Sequence, residues 1–370
     1  MPENGKIKVL QLVEDLSIGG LERIIQSLAA GLPKEKYEVR VWCLTKGGAI
    51  ADELKGAGIE VEILGMGRRC TVPFLFKIRK KIKDSRIDIL HAHGYTATTV
   101  ARTAGFLAGV PAMIAHIHST YWSYTTKQLL IEKALSMVTD KIVCCSNAVA
   151  EFVVSREKID PRKVFVVYNG AEDMRSRPAE DMRTGLGLSS GDFFIGVPAS
   201  LVRHKGHSYF LEALKETLKE YPAVKAVLAG DGPLRKELED LSGRLGIAKN
   251  VVFTGMLKEM APFFAAADLI VLPSTEREGL SVAVLEAMSA GKAVIGTRVG
   301  GTPEAVAEGE TGLIVPPGDQ AALAAAVLSL VRDRERLEKM GRAGRALYEK
   351  KFTRAEMINN ISRIYDELCR

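Results

Sequence analysis

Residues 269–317 read LIVLPSTEREGLSVAVLEAMSAGKAVIGTRVGGTPEAVAEGETGLIVPP. The run changes character at short, regular intervals. An apolar strand at 269–272 stops at Pro273, a loop carries Glu278-Gly279, and an apolar helical segment containing Glu286 follows. A second apolar strand at 293–296, a Gly300-Gly301 turn and a third strand at 312–315 complete it. Short apolar runs punctuated by Gly and Pro are buried strands, and the longer segment between the first two is the helix that crosses over. Glu278 and Glu286 stand eight residues apart across the strand-to-helix turn. Two carboxylates so placed can hold both ends of one polar ligand, such as the hydroxyls of two sugars. Taken alone, either glutamate reads as a solvated residue at the end of an amphipathic helix.

The same rhythm extends in both directions. Strands are expected at 7–13, 38–43, 61–64, 87–91, 112–117, 141–144 and 164–167, and again at 193–199, 224–229, 251–254, 269–272, 293–296 and 312–315. Their nearly continuous apolar character implies burial on both faces, hence parallel sheets with helices on either side. The fold class is α/β, with two doubly wound Rossmann-like domains. Such sheets take ligands at the carboxyl ends of their strands, so a central cleft between the two is expected. The charged, Gly- and Ser-rich segment 171–192 reads as a linker, and the chain is helical beyond Asp319. The expected division is 1–170, 171–352 and a C-terminal helix at 353–370 returning to the first domain.

At 370 residues, with 47% hydrophobic content, the chain is long enough for two cores. No apolar run reaches the ~20 residues of a membrane span, and the first residues lead straight into a strand, so neither a span nor a cleaved leader is expected. Five cysteines (Cys43, Cys70, Cys144, Cys145, Cys369) lack metal-ligand spacing, and the odd count fits a reducing cytoplasm. Charge is uneven: residues 68–86 hold eight basic residues and one acid, which equals the net excess of +7 over residues 1–170. Such a local patch points to an anionic surface, expected to be a membrane and not nucleic acid. Within it Phe74, Leu75, Ile78 and Ile82 share one helical face, while Arg79, Lys80 and Lys83 face away with Phe76 among them.

The doubly wound class by itself does not name a function; the residues at its turns must. After the first strand, Gly19-Gly20 opens a helix whose N–H groups can approach a phosphate, although a flexible turn reads equally well. This is not G-x-G-x-x-G, which disfavours a nicotinamide site. His91 and His93, and His116 and His118, form two H-x-H pairs at strand ends. Each pair falls on one side of its strand, without a carboxylate cluster to support a metal, so no metal site is expected. Lys205-Gly206, between a strand and a helix, puts a cation beside a helix N-terminus, a good seat for a diphosphate; the plainer alternative is a solvated turn. No D-x-D pair occurs to hold a divalent ion on that diphosphate.

Glu-Gly before a helix and Glu-Ala-Met on it, together with AGDGPLRKELEDLSGRLGIAKNVVFTGML, PAMIAHIHST and VVYNGAED, resemble the retaining glycosyltransferases of family 4. The resemblance covers nearly the whole chain and implies the GT-B fold. It implies catalytic roles for His118 (or His116, if the register slips by two), Lys205 and Glu278. Donor binding would fall to Gly19, Gly20, Ser200, Arg203, Lys205, Gly255, Met256, Glu278, Gly279, Leu280, Ser281 and Glu286. Within that set Glu286 would hold the nucleotide ribose, Glu278 would lie near the sugar, and the backbone around Met256 would read the base. The family places an arginine where this chain has Ser200, so Arg203 is expected to supply the second cation from a shifted position. Acceptor contacts are expected from His93, Tyr121 and Trp122.

The reading that results is a transferase moving a hexose-type sugar from a nucleotide diphosphate, UDP before GDP, to a glycan or lipid-linked acceptor in cell-surface polysaccharide or glycolipid synthesis. No cofactor is expected, and the protein is placed in the cytoplasm or on the inner face of the membrane. A nucleotide-sugar epimerase of the same plan, a non-catalytic sugar-nucleotide binder and a nicotinamide dehydrogenase are the rivals. The set Lys205, Glu278, Glu286 and His118 weighs against the second of these.

Overall fold

The computed structural model describes residues 5–121, 123–176 and 182–369. They divide into two compact units, one formed by 1–170 with 354–370 and the other by 171–353. The first unit is a seven-stranded sheet of β1 (Ile7–Val13), β2 (Tyr37–Cys43), β3 (Glu60–Ile63), β4 (Ile89–His93), β5 (Ala112–Ile117), β6 (Lys141–Cys144) and β7 (Val164–Val166). Its order is β3-β2-β1-β4-β5-β6-β7, and every pair is parallel. The second is a six-stranded sheet of β8 (Phe193–Pro198), β9 (Val224–Ala229), β10 (Val251–Gly255), β11 (Leu269–Leu272), β12 (Ala293–Thr297) and β13 (Gly312–Val315). It runs β10-β9-β8-β11-β12-β13, again all parallel.

Both sheets therefore start at a central strand, build outward to one side and return to build the other. The chain reverses between β1 and β4 in one unit and between β8 and β11 in the other. Loops leaving those two strands diverge to opposite faces of the sheet, which opens a crevice at their carboxyl ends. The strands are apolar on both sides because each sheet is covered twice. In the first unit Leu10, Leu12, Trp42 and Leu90 pack one face and Val13, Ile25, Val41 and Leu54 the other. In the second, Val197, Leu228, Val271 and Ile295 join Phe210, Leu214 and Leu330 from the helices.

Three differences from the sequence reading have local causes. β4 lies two residues later than expected, at Ile89–His93. Asp88 explains the shift: its carboxylate accepts from the Lys8 backbone N–H at 2.8 Å while its own N–H donates to the Lys8 carbonyl at 3.0 Å, so the ladder begins just after it. Second, the described parts of 171–192 are not a solvated linker. Asp173 forms a two-pronged ion pair with Arg345 at 2.5 and 2.6 Å, and Arg183 donates to the Ala266 carbonyl at 2.8 Å. Both tie the segment to the second unit. Third, the basic helix Val72–Ser85 buries Ile78 and Ile82 as expected, but Arg79 is half-buried and donates to the Leu107 carbonyl at 2.9 Å. Lys81 pairs with Glu62 at 2.8 Å and lies over the Trp42 ring. Phe76, Lys77, Lys80 and Lys83 remain exposed. Among the described residues, no helix is long and apolar enough to cross a membrane.

Beneath the helix Thr126–Met137, Arg102 and Glu132 form a buried ion pair at 2.5 Å. Glu157 lies nearby, 2% exposed, with one carboxylate oxygen unbonded. Burial, with Glu132 adding to it, pushes the Glu157 carboxyl up to about 8. A group that keeps its proton in the folded chain to about 8, but loses it from about 4.5 when unfolded, lowers stability as pH rises through that window. Glu157→Gln should therefore match wild type in denaturant melts near the bottom of the window and exceed it near the top. Equal pH dependence in the two proteins would show that Glu157 ionises freely.

Candidate active site

In the second unit, the loops at the carboxyl ends of five strands are stitched to one another. After β8 the chain makes a 3-10 turn at Arg203–Lys205 and, at Gly206, enters the helix His207–Glu220. Gly206 has φ +70°, and a β-carbon there would collide with the Pro273 carbonyl just past β11. Only glycine allows this approach. It is reinforced by the Thr275 N–H, which donates to the His204 carbonyl at 2.8 Å. The result sets Lys205 Nζ 2.5 Å from Glu278 Oε1, although 73 residues separate them. Ser274 Oγ donates to the same oxygen at 2.6 Å.

Glu278 itself is 6% exposed and follows Arg277, which has φ +62°, a strained setting for a residue with a β-carbon. A third loop holds it from behind. Gly300 has φ +53° and lies against the Glu278 carbonyl, and the Gly301 N–H donates to the Gly279 carbonyl at 2.6 Å. On the far side the Gly230 N–H donates to the Gly255 carbonyl at 3.0 Å, and the Leu201 N–H to the Asp231 carbonyl at 3.0 Å.

Apart from Gly19 and Gly20 in the first unit, the candidate donor residues thus fall on adjoining loops. Lys205 and Glu278 are in contact, and Gly279, Leu280 and Ser281 lead into the helix Val282–Ser289 that carries Glu286, half-buried. Gly255 ends β10 instead of lying in a loop, and Met256 follows it, 49% exposed. Ser200 and Arg203 are both exposed, one before and one within the lysine turn. Among the described residues Arg203 has no ion-pair partner, so its guanidinium is available to an anion. No side chain caps the helix His207–Glu220, which leaves its first N–H groups and positive end beside Lys205. The cluster is a cation, a buried carboxylate and a helix N-terminus around one turn, suited to a ligand with a diphosphate and a hydroxylated body.

The first unit presents its own set at the equivalent switch point. Gly19 caps the helix Gly20–Gly31 without a side-chain bond. Burial raises the Glu22 carboxyl in its first turn to about 7. His93 pairs in register with His116 across β4 and β5, and His91 lies two residues behind on the same face. The four imidazoles stack: ring centroids are 4.4 Å apart for His91–His93 and 4.0 Å for His116–His118. Burial lowers all four from the ordinary histidine range and so favours their neutral forms. Gln11 turns its amide N–H to the Tyr365 hydroxyl at 2.8 Å and its carbonyl to His93 Nε2 at 2.5 Å. His93 Nδ1 meets His118 Nε2 at 3.1 Å, and His91 Nδ1 meets the Tyr365 hydroxyl at 2.6 Å.

His93 is 0% exposed and lies behind His118, which keeps an edge at the surface. Tyr121 stacks on Tyr124 at 4.9 Å, within an aromatic group completed by Tyr95. Trp122 lies outside the described residues. Gln11 and Tyr365 were not legible as site residues. Neither belongs to a motif, and Tyr365 reaches the histidines from a helix 274 residues beyond His91.

Two parallel doubly wound sheets, each with polar residues at its switch point, define a two-domain α/β protein of the Rossmann-like class. Comparison with known proteins agrees. Residues 18–175 match the family described as Glycosyltransferase Family 4, and residues 179–347 match Glycosyl transferases group 1. The chain belongs to this family of glycosyltransferases, with the GT-B fold. It is 25% identical, over 80% of its length and 81% of the relative's, to a UDP-Gal:alpha-D-GlcNAc-diphosphoundecaprenol alpha-1,3-galactosyltransferase of Escherichia coli. It is 36% identical, over 47% of its length and 46% of the relative's, to a GDP-mannose-dependent phosphatidylinositol monomannoside mannosyltransferase of Mycolicibacterium smegmatis. The structure of Anabaena HepE in complex with UDP-glucose superposes with a TM-score of 0.88 at 23% identity, covering 98% of this chain and 100% of that one.

The close packing at Gly206 is open to a direct test. Gly206→Ala combines a left-handed φ with a collision against the Pro273 carbonyl, whereas Gly309→Ala has φ +77° and nothing within 4 Å. Strain alone costs on the order of 1 kcal/mol. Urea denaturation should show Gly206→Ala clearly less stable than Gly309→Ala, and equal losses would mean that the two loops need not touch.

Proposed function

We propose that this glycosyltransferase is a retaining hexosyltransferase that takes its sugar from a nucleotide diphosphate, a UDP-sugar before a GDP-sugar. The acceptor is a glycan or a lipid-linked sugar of a cell-surface polysaccharide or glycolipid. The observation that carries the reading is Lys205 held against buried Glu278 beside the uncapped N-terminus of the helix His207–Glu220. The UDP-glucose bound in HepE and the UDP-galactose used by the E. coli relative support the choice of donor.

In this reading the bond from the anomeric carbon to the diphosphate oxygen breaks as negative charge gathers on the leaving group. Lys205 and the helix N-terminus are fixed positive charges where that charge develops, with exposed Arg203 free to join them, so they stabilise the transition state more than the ground state. The acceptor hydroxyl enters on the same face, its proton passing to the departing phosphate oxygen, and the new glycosidic bond keeps the anomeric configuration. No protein nucleophile is used. Glu278 accepts a hydrogen bond from a sugar hydroxyl, and the Leu280 and Ser281 N–H groups are directed to the sugar or phosphate. Glu286 holds the ribose diol, while His118 lies beside the transferred sugar. In the absence of a D-x-D pair, charge neutralisation is assigned to these groups, and turnover is expected without added magnesium or manganese.

The test is a panel of nucleotide sugars scored for binding, for transfer and for slow hydrolysis. Transfer or hydrolysis of one donor class is expected, whereas isomerised donor formed with no acceptor would favour the epimerase. Lys205→Ala should lower kcat by about 10²–10³-fold while leaving the protein folded. Unchanged turnover would remove Lys205 from the mechanism. Glu286→Gln, by contrast, should act on nucleoside diphosphate affinity, by about 1.5–3 kcal/mol in calorimetry.

A lipid-linked acceptor is favoured by the surface of the helix Val72–Ser85. Phe76 is 54% exposed among exposed Lys77, Lys80 and Lys83, and the Arg79–Leu107 bond ties this helix to the end of the one that carries exposed Phe106 and Leu107. An aromatic set among lysines binds at the headgroup level, each basic residue adding ~1 kcal/mol on anionic lipid. The protein should sediment with anionic vesicles at low salt and be released at high salt, and Phe76→Ser should weaken the binding. Protein left in the supernatant at low salt would point to a soluble acceptor.

A further inference from the structure

We propose that His91, His93 and His116 form a binding site for a first-row divalent transition metal of the zinc class, with His118 as its fourth ligand. The three residues can each offer a nitrogen, and these nitrogens lie within 4.8 Å of one another. The sheet makes this possible: residues two apart on β4 share a face, and the parallel register sets His116 directly beside His93.

The hydrogen bonds around two of the imidazoles, His91 and His93, have the form that metal-bound histidines require. A ligating imidazole gives its other nitrogen to an outer group, which fixes the tautomer and aims the lone pair. His91 commits Nδ1 to Tyr365 and leaves Nε2 without a partner. His93 commits Nε2 to the Gln11 carbonyl, so that nitrogen carries the proton and Nδ1 the lone pair. His116 has a partner at neither nitrogen, although it is 0% exposed. Buried polar atoms without partners are rare and costly, and two adjacent imidazoles, His91 and His116, that share this condition have one simple common remedy, a cation between them. His93 Nδ1 and His118 Nε2 are 3.1 Å apart. Two nitrogens at 2.0–2.1 Å from one tetrahedral ion are about 3.3 Å apart, so the pair is near chelating distance; to ligate, the rings turn out of their stack and the His118 proton passes from Nε2 to Nδ1.

The donor set also selects the ion. Neutral imidazoles suit zinc, cobalt, nickel and copper, whereas magnesium and manganese need the oxygen ligands that this cluster lacks. His118, which keeps an edge at the surface, is the way in. Occupancy would take His118 Nε2 and His93 Nδ1 out of their mutual bond. If His118 acts beside the sugar, as proposed above, zinc is then an inhibitor of transfer.

The experiment uses the untagged full chain, stripped with a chelator and titrated with Co²⁺. One equivalent should bind and give the intense visible bands of a tetrahedral nitrogen-ligated ion, bleached by Zn²⁺. His116→Gln should weaken binding at least 100-fold, while His204→Gln, in the other unit, should not. Weak octahedral bands, no stoichiometric binding by wild type, or equal affinity of wild type and His116→Gln would overturn the site. Should the variant misfold, the wild-type spectrum and stoichiometry still decide. These readouts do not depend on sugar transfer, so a dead transferase that binds Co²⁺ leaves the site standing. A metal-bound protein that zinc does not inhibit removes only the link to His118.

Discussion

The second unit depends on how closely its backbone loops approach one another. Parallel strands send their loops out from the same edge, each carrying peptide groups that must find partners once they leave the ladder. Here the loops satisfy one another: Thr275 bonds to His204, Gly301 to Gly279, Gly230 to Gly255 and Leu201 to Asp231. Contacts this close leave no room for a β-carbon at Gly206 or Gly300. With the backbone locked, Lys205 and Glu278 are held in place without having to find each other, and the strain at Arg277 is borne by its surroundings.

The first unit solves a different problem with side chains. Four imidazoles occupy the carboxyl ends of β4 and β5, where a less polar set would pack with no unpaired nitrogen. Gln11 and Tyr365 satisfy part of that demand and fix the direction of the rings. One unit is thus rigid through its backbone and the other through a chain of side-chain hydrogen bonds. Polar chains of this kind are exacting, because each unmet group inside a low-dielectric core is costly.

The fold could be read from the sequence because its signals are local. Apolar runs such as Leu269–Leu272 and Gly312–Val315 stop at Pro or Gly and alternate with helical periodicity, and twice-covered sheets impose that pattern on every strand. Strand ends were less legible where a side chain set them, as Asp88 does for β4. At the candidate sites, spacing placed Glu278 on a loop and Glu286 on the helix after it. It could not show that Lys205 and Glu278 touch, since that contact depends on two glycines whose neighbours lie far away in sequence. Nor could alternation show whether His93 faces solvent or the interior: two residues on one face of a strand share that face whichever way it points. Tyr365 carried no signal at all, being one aromatic on an amphipathic helix.

That tyrosine has a consequence for how the protein is made. Its hydroxyl accepts from Gln11 and shares a hydrogen bond with His91, at sequence separations of 354 and 274 residues. A ribosome releases the strands of the first unit early, yet the group that satisfies their most polar interior emerges only after the whole second unit has been synthesised. Domains ordinarily fold in the order in which they appear. In this chain the first to appear is the last to be finished, and through that interval β4 and β5 hold a buried histidine cluster without its hydroxyl. The nascent first unit is therefore the stage at which the protein is most open to a chaperone, a protease or a stray metal ion.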